Sequence, residues 1–128
     1  MGEKMNVIQS VDDLVVYRRA YDLAVRVFKA SISFPKEELY SLTDQLRRSS
    51  RSVAMNIREG FAKRKYEQTF VRHLNDALGS GEETRGWLKF AFDFQYLSEQ
   101  DFKDMDDQYN QINKMLFVLM KNWNNFSE

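Results

Sequence analysis

In four stretches of this chain an apolar or small residue returns at alternating spacings of three and four, which is the spacing of one face of an α-helix. The first stretch is Leu14, Tyr17, Tyr21, Ala24, Phe28 and Ser31, widened by Val25 and Ile32. The second is Leu42, Leu46, Ser49 or Ser50, Val53 and Ile57. The third is Phe70, Leu74, Ala77, Gly81, Thr84, Leu88 and Ala91, with Leu78 and Phe92 beside it. The fourth is Phe102, Met105, Tyr109, Ile112, Leu116, Leu119, Trp123 and Phe126. No stretch shows the two-residue alternation of a half-buried strand, and no longer internal repeat is visible. The pattern predicts an all-α chain with four amphipathic helices sharing one core.

Punctuation residues set the expected ends. Ser10 followed by Asp13, Ser41 followed by Asp44, and Ser98 followed by Asp101 each place a capping hydroxyl three residues before an acid. Pro35, the single proline, ends the first helix, and Gly60 is expected to end the second in a left-handed C-cap. The expected helices are about 11–33, 42–60, 66–96 and 99–125, within one domain spanning 1–128. Short connections favour a single-domain, up-down-up-down antiparallel four-helix bundle. A hairpin turning near Ala62–Lys65 would set Ile57 near Phe70, Val53 near Leu74, Ser50 near Ala77 and Arg47 near Glu83. Gly79 and Gly81 each cost about 1 kcal/mol against alanine inside a helix. That cost points to a close helix neighbour or a kink.

Composition narrows the chemistry. There is no cysteine, which removes disulfides, thiolate metal sites and thiol catalysis. The one histidine, His73, has no glutamate three residues before it, so the paired Glu-x-x-His ligands of a di-iron bundle are missing. His73 with Asp76 could make at most a weak two-ligand site. The GSGEE run lacks the lysine and spacing of a phosphate loop. We therefore expect no catalytic residues, no metal and no cofactor. The N-terminal MGEKMNVIQS has no apolar signal core, and Asn6 stands where a myristoylation site needs Ser or Thr. No apolar run approaches the roughly 18 residues of a membrane span. The expectation is a cytoplasmic protein with no membrane attachment. Ten Phe and six Tyr are more than four seams easily bury, so exposed aromatics and self-association are expected.

Formal net charge is zero, but the charges are segregated. Between Arg47 and Lys65 lie seven basic residues (Arg47, Arg48, Arg51, Arg58, Lys63, Arg64 and Lys65) against Glu59 alone. Between Glu99 and Asp107 five acids face Lys103. The basic face of the second helix has three readings: a solvated surface, a subunit interface for the acidic stretch, or a phosphate-contacting surface for RNA or DNA. Phosphate contact needs only clustered Lys and Arg. No helix-turn-helix, zinc-finger or RNA-recognition signature accompanies it. Gln45, Arg48, Asn56, Glu59, Ser80 and Glu83 flank the seam of the second and third helices. They form a candidate structural polar network, in which Arg47 or Arg48 would reach Glu83.

The run Phe34-Pro35, Glu38, Leu42, QLRRSSRSVAMNIREG and ALGSGEE resembles the family of four-helix proteins encoded in intervening sequences of bacterial 23S rRNA genes, sometimes labelled ribosomal proteins. The matching positions are Phe34, Pro35, Glu38, Gln45, Arg47, Arg48, Ser52, Asn56, Ile57, Glu59, Gly60, Gly79, Ser80 and Glu83. Arg58 departs from the pattern, where a small residue is usual. The resemblance implies a left-handed bundle, a ring-like homo-oligomer of pentameric order and no enzyme activity. A related branch, the accessory protein of diversity-generating retroelements, engages a reverse transcriptase and nucleic acid. The reading for function is a non-enzymatic, self-associating bundle contacting RNA or other nucleic acid through its basic helix. The alternative is an oligomeric protein-interaction scaffold without nucleic-acid binding.

Overall fold

The computed structural model describes residues 8–123. It contains a 3₁₀ turn Val11–Asp13, helix α1 Val15–Ser31, a second 3₁₀ turn Lys36–Glu38, and helices α2 Leu42–Ala62, α3 Glu67–Asp93 and α4 Glu99–Asn122. The described residues contain no strand. Each helix packs on its neighbours in chain order, and α4 closes back on α1, with α2 against α3 the most extensive pairing. The fold is the expected all-α four-helix bundle. The expected positions up to residue 7 and from 124 onward, including Phe126 and the end of the fourth helix near 125, lie outside the described residues.

The core is one cluster. Its largest fully buried side chains include Tyr109, Phe70, Leu46, Ile57, Leu74, Leu88, Met105 and Leu116. The expected stripes of α2 and α3 are buried, as is that of α4 from Met105 to Trp123. The stripe of α1 is different. Leu14, Val16, Tyr17, Ala20, Leu23, Val27 and Ser31 are buried, whereas Tyr21 is 54% exposed and Phe28 40%, and Val25 and Ile32 also face outward. Helix α1 is apolar over more than half its circumference, so periodicity alone leaves its rotation open. The side that turned inward carries the more compact Val, Ala and Leu. Of its aromatics Tyr17 is buried, and Tyr21 and Phe28 stay outside.

Four expected ends are corrected. Ser10 and Asp13 do form a capping box, with Ser10 Oγ accepting from Asp12 N at 3.0 Å and Asp13 Oδ2 accepting from Ser10 N at 3.0 Å. They cap the 3₁₀ turn, and extended Leu14 delays α1 to Val15. Ser41 makes no cap; its hydroxyl donates to Glu38 Oε1 at 2.7 Å, and that carboxylate takes the Leu42 N–H at 3.4 Å. Gly60 does not end α2. It lies inside the helix, where an added Cβ would sit 2.6 Å from His73 Cβ, so it is a close-packing glycine. Helix α3 stops at Asp93 in a Schellman turn, with Tyr96 N bonded to Ala91 O at 2.8 Å and Gln95 N to Phe92 O at 2.9 Å. Gln95 occupies the left-handed position at φ 68°. Ser98 caps α4 as expected, accepting from Asp101 N at 3.1 Å.

Candidate nucleic-acid interface

The rotation of α2 divides its basic residues into two groups. Arg47, Arg51 and Arg58 lie on the side shared with α1. Arg47 Nε donates to Ser31 Oγ at 2.7 Å, and its guanidinium sits 4.6 Å from the centre of the Phe28 ring. Arg58 Nη1 donates to Tyr17 OH at 3.1 Å and stands 5.8 Å from that ring. The phenol holds Arg58 still more firmly protonated than an ordinary guanidinium. Between them Arg51 is exposed and makes no hydrogen bond or ion pair among the described residues. It borders a groove of about 440 Å³ whose other walls are Tyr21, Ala24, Val25, Phe28, Ala54 and Met55.

The remaining basic residues lie elsewhere. Arg48 is exposed and without a partner among the described residues, one turn before Ser52. Lys63, Arg64 and Lys65 form the turn into α3. Lys63 pairs with Glu59 at 3.3 Å; Arg64 donates to Phe61 O at 3.0 Å and lies 3.9 Å from the Phe61 ring centre; Lys65 lies 5.8 Å from that of Tyr66. Of the seven basic residues only Lys63 therefore meets a carboxylate. Hydroxyls, a carbonyl and ring faces hold Arg47, Arg58, Arg64 and Lys65 without neutralising them, and Arg48 and Arg51 have no partner among the described residues.

The acidic stretch contrasts with this. Arg26 bridges Asp104 and, at 3.6 Å, Asp101; Arg85 holds Asp106 at 2.8 Å; Lys103 holds Glu99 at 2.7 Å. Its carboxylates are largely committed within the chain.

A polar seam joins α2 to α3. Thr84 Oγ1 donates to Ser49 Oγ at 2.9 Å, Ser52 and Ser80 share a hydrogen bond at 2.8 Å, Asn56 Nδ2 donates to Ser52 Oγ at 3.0 Å, and His73 Nδ1 meets Asn56 Oδ1 at 3.3 Å. Asn56 and Ser80 are thus joined through Ser52, while Gln45 and Arg48 stand outside the seam and Glu59 pairs outward with Lys63. The expected link from Arg47 or Arg48 to Glu83 is not made. Arg47 turns toward α1, and Glu83 accepts from Trp87 Nε1 at 3.0 Å. Ser49 meets Thr84, about three to six residues further along α3 than the hairpin register placed it. Gly81 has a packing reason, since a Cβ there would run into the Asn113 side chain, but Gly79 has open space around it. His73 is buried, with Nε2 unpartnered. Among the described residues no three His, Cys, Asp or Glu side chains gather around a common point for a metal. No described helix is long and apolar enough to cross a membrane.

Sequence reading missed Ser31, Tyr17 and Phe28 as the partners that orient the arginines, because it placed all three in the seam. The surplus of aromatics was the available signal that some of them stay outside.

Three comparisons with known proteins bear on this arrangement. The family model described as 23S rRNA-intervening sequence protein matches residues 12–118. A crystal structure of a protein of unknown function from the S23 ribosomal protein family of Bacteroides thetaiotaomicron superposes with a TM-score of 0.74 at 26% identity, covering 84% of this chain and 99% of that one. No curated protein matches the chain. With the family pattern running through all four helices, the chain belongs to the 23S rRNA-intervening sequence protein family.

Proposed function

We propose that this protein is a non-enzymatic, self-associating bundle that holds RNA or another nucleic acid against the basic margin of α2. The observation that carries the reading is the lack of carboxylate partners for Arg47, Arg51 and Arg58, although the chain is electrically balanced. A solvated helix face ordinarily acquires scattered ion pairs, as α3 does at Lys89–Asp93 and α4 at Lys103–Glu99. Uncompensated guanidiniums set along one edge suit a polyanion, and counterion release makes such binding steeply salt-dependent. Filter binding to RNA at about 50 and about 200 mM salt tests this. Binding should fall at the higher salt and weaken when Arg47, Arg51 and Arg58 are replaced by alanine. Absence of binding at low salt, or binding indifferent to these changes, removes the nucleic-acid reading.

Self-association draws on a separate surface. A groove of about 370 Å³ between α1 and α4 is walled by Leu14, Val15, Val16, Lys114, Met115, Val118 and Leu119, with Val15 49% and Val118 51% exposed. It is apolar apart from Lys114 and suits a second copy of the chain. A protein-scaffold reading without nucleic acid draws on the exposed Phe90 and Phe94, which continue the ring contacts of Trp87 and Tyr96 along the end of α3. Retention of assembly with no RNA affinity would select it.

A further inference from the structure

We infer that the nucleic acid bound is single-stranded, with unpaired bases stacked in the α1/α2 groove on Tyr21 and Phe28 and the backbone carried by Arg47 and Arg51. The inference rests on the nucleic-acid reading above and names the form of the ligand.

Basic side chains and rings are interspersed along the α1/α2 side, and Tyr21 and Phe28 are the exposed rings of the row. Arg58 stands over Tyr17, whose ring centre is 6.2 Å from that of Tyr21; Arg51 borders the middle; Phe28 follows with Arg47 over it. From Tyr17 to Phe28 the row extends about 16 Å along α1 at 1.5 Å per residue. Arg47 and Arg51 are one turn apart, about 6 Å along α2. Stacking on aromatic rings with phosphates held by arginines is the chemistry that binds single strands with little sequence preference.

A duplex fits this surface poorly. Its bases are stacked internally and cannot reach a ring, and an A-form helix is met through phosphates and 2′-hydroxyls by polar side chains. The groove walls supply only Arg51 and the Tyr21 hydroxyl for that purpose. A second copy of this chain is also a poor occupant. It would have to bring carboxylates to three arginines, and those of its acidic stretch are committed to Arg26, Arg85 and Lys103. Asp12 and Asp22 border the neighbouring depression at the Arg58 end of the row. The strand therefore lies toward Arg47 and Arg51.

The test is fluorescence anisotropy of the intact protein at low salt. The probes are a labelled 12-nucleotide oligouridine and a 12-base-pair RNA duplex, and circular dichroism confirms that each variant remains helical. The single strand should bind at least about tenfold tighter than the duplex. Tyr21→Ala should weaken single-strand binding by about 5- to 150-fold, the worth of one stacked base, and duplex binding by far less. Tyr21→Phe should restore it. Equal or tighter duplex binding, or a single strand indifferent to Tyr21→Ala, overturns the inference while leaving nucleic-acid binding in place. Failure of both probes to bind overturns both readings. Tyr21→Ala lowering the assembly mass in light scattering without changing RNA affinity assigns the groove to a second copy and also overturns the inference.

Discussion

Glu38 ties together three parts of the chain. Its carboxylate accepts from Ser41 Oγ at 2.7 Å and from Tyr96 OH at 2.9 Å, and it covers the first N–H of α2 at Leu42. The Ser41 hydroxyl first, then Tyr96, then the Leu42 amide hold this carboxyl below its ordinary value of 4.5, against the opposing effect of burial. A carboxyl whose folded pKa is depressed stabilises the fold fully above its unfolded pKa and loses that contribution as pH falls through the folded one. The urea midpoint of the wild type should therefore exceed that of Glu38→Gln at about pH 7, and the gap should narrow on titration to about pH 3. A gap independent of pH would refute the assignment. Tyr96 behaves in the opposite sense. Its bond to Glu38 raises the phenol above 10.0, so its contribution is complete below that value and is lost as pH rises beyond it. Next to it Gln95 holds the left-handed turn position at φ 68°, where a side chain costs roughly 1–2 kcal/mol. Gln95→Gly should raise stability by about 1 kcal/mol in chemical denaturation, since glycine takes this conformation without the Cβ penalty.

At the scale of the helix, two glycines make opposite predictions. Gly60 lies against His73 and the Phe70 ring, so Gly60→Ala forces α2 and α3 apart and should cost about 1–3 kcal/mol. Gly79 has nothing within reach of an added Cβ, so Gly79→Ala should stabilise the protomer by up to about 1 kcal/mol. Denaturant midpoints of the two variants moving in the same direction would contradict this account. The pair also marks what could be read from sequence. A glycine announces itself, but whether it ends a helix or admits a neighbour depends on residues distant in the chain. Helices α2, α3 and α4 each carry one apolar stripe, and the expected core positions there, from Met105 to Trp123 in α4, are buried. Helix α1 carries two overlapping stripes, and the choice between them depends on what it packs against. The basic cluster was visible as a run of letters. Its division into an arginine row and a lysine-bearing turn was not, because the partners of Arg47 and Arg58 are hydroxyls of α1 whose facing follows from that same rotation.

For the whole molecule, the two candidate contact surfaces lie on different sides. The arginine row lies on the α1/α2 side, and the nearly charge-free groove lies between α1 and α4. This separation lets nucleic-acid contact and self-association be disrupted one at a time. Val118 is half exposed, so replacing it with aspartate removes little of the protomer's own core while putting a charge into the apolar groove. Lys114, one turn before Val118 in the same groove, offers the new carboxylate one partner, but burying both charges between copies still costs their desolvation. Light scattering of Val118→Asp at micromolar concentration should then return the 15.2 kDa protomer with helical content intact, where the wild type gives a larger mass. Arg51→Ala should leave the assembly mass unchanged and reduce RNA binding. If Val118→Asp assembles like the wild type, the α1/α4 groove does not join the copies, and the exposed ring cluster of Phe90 and Phe94 becomes the surface to alter next.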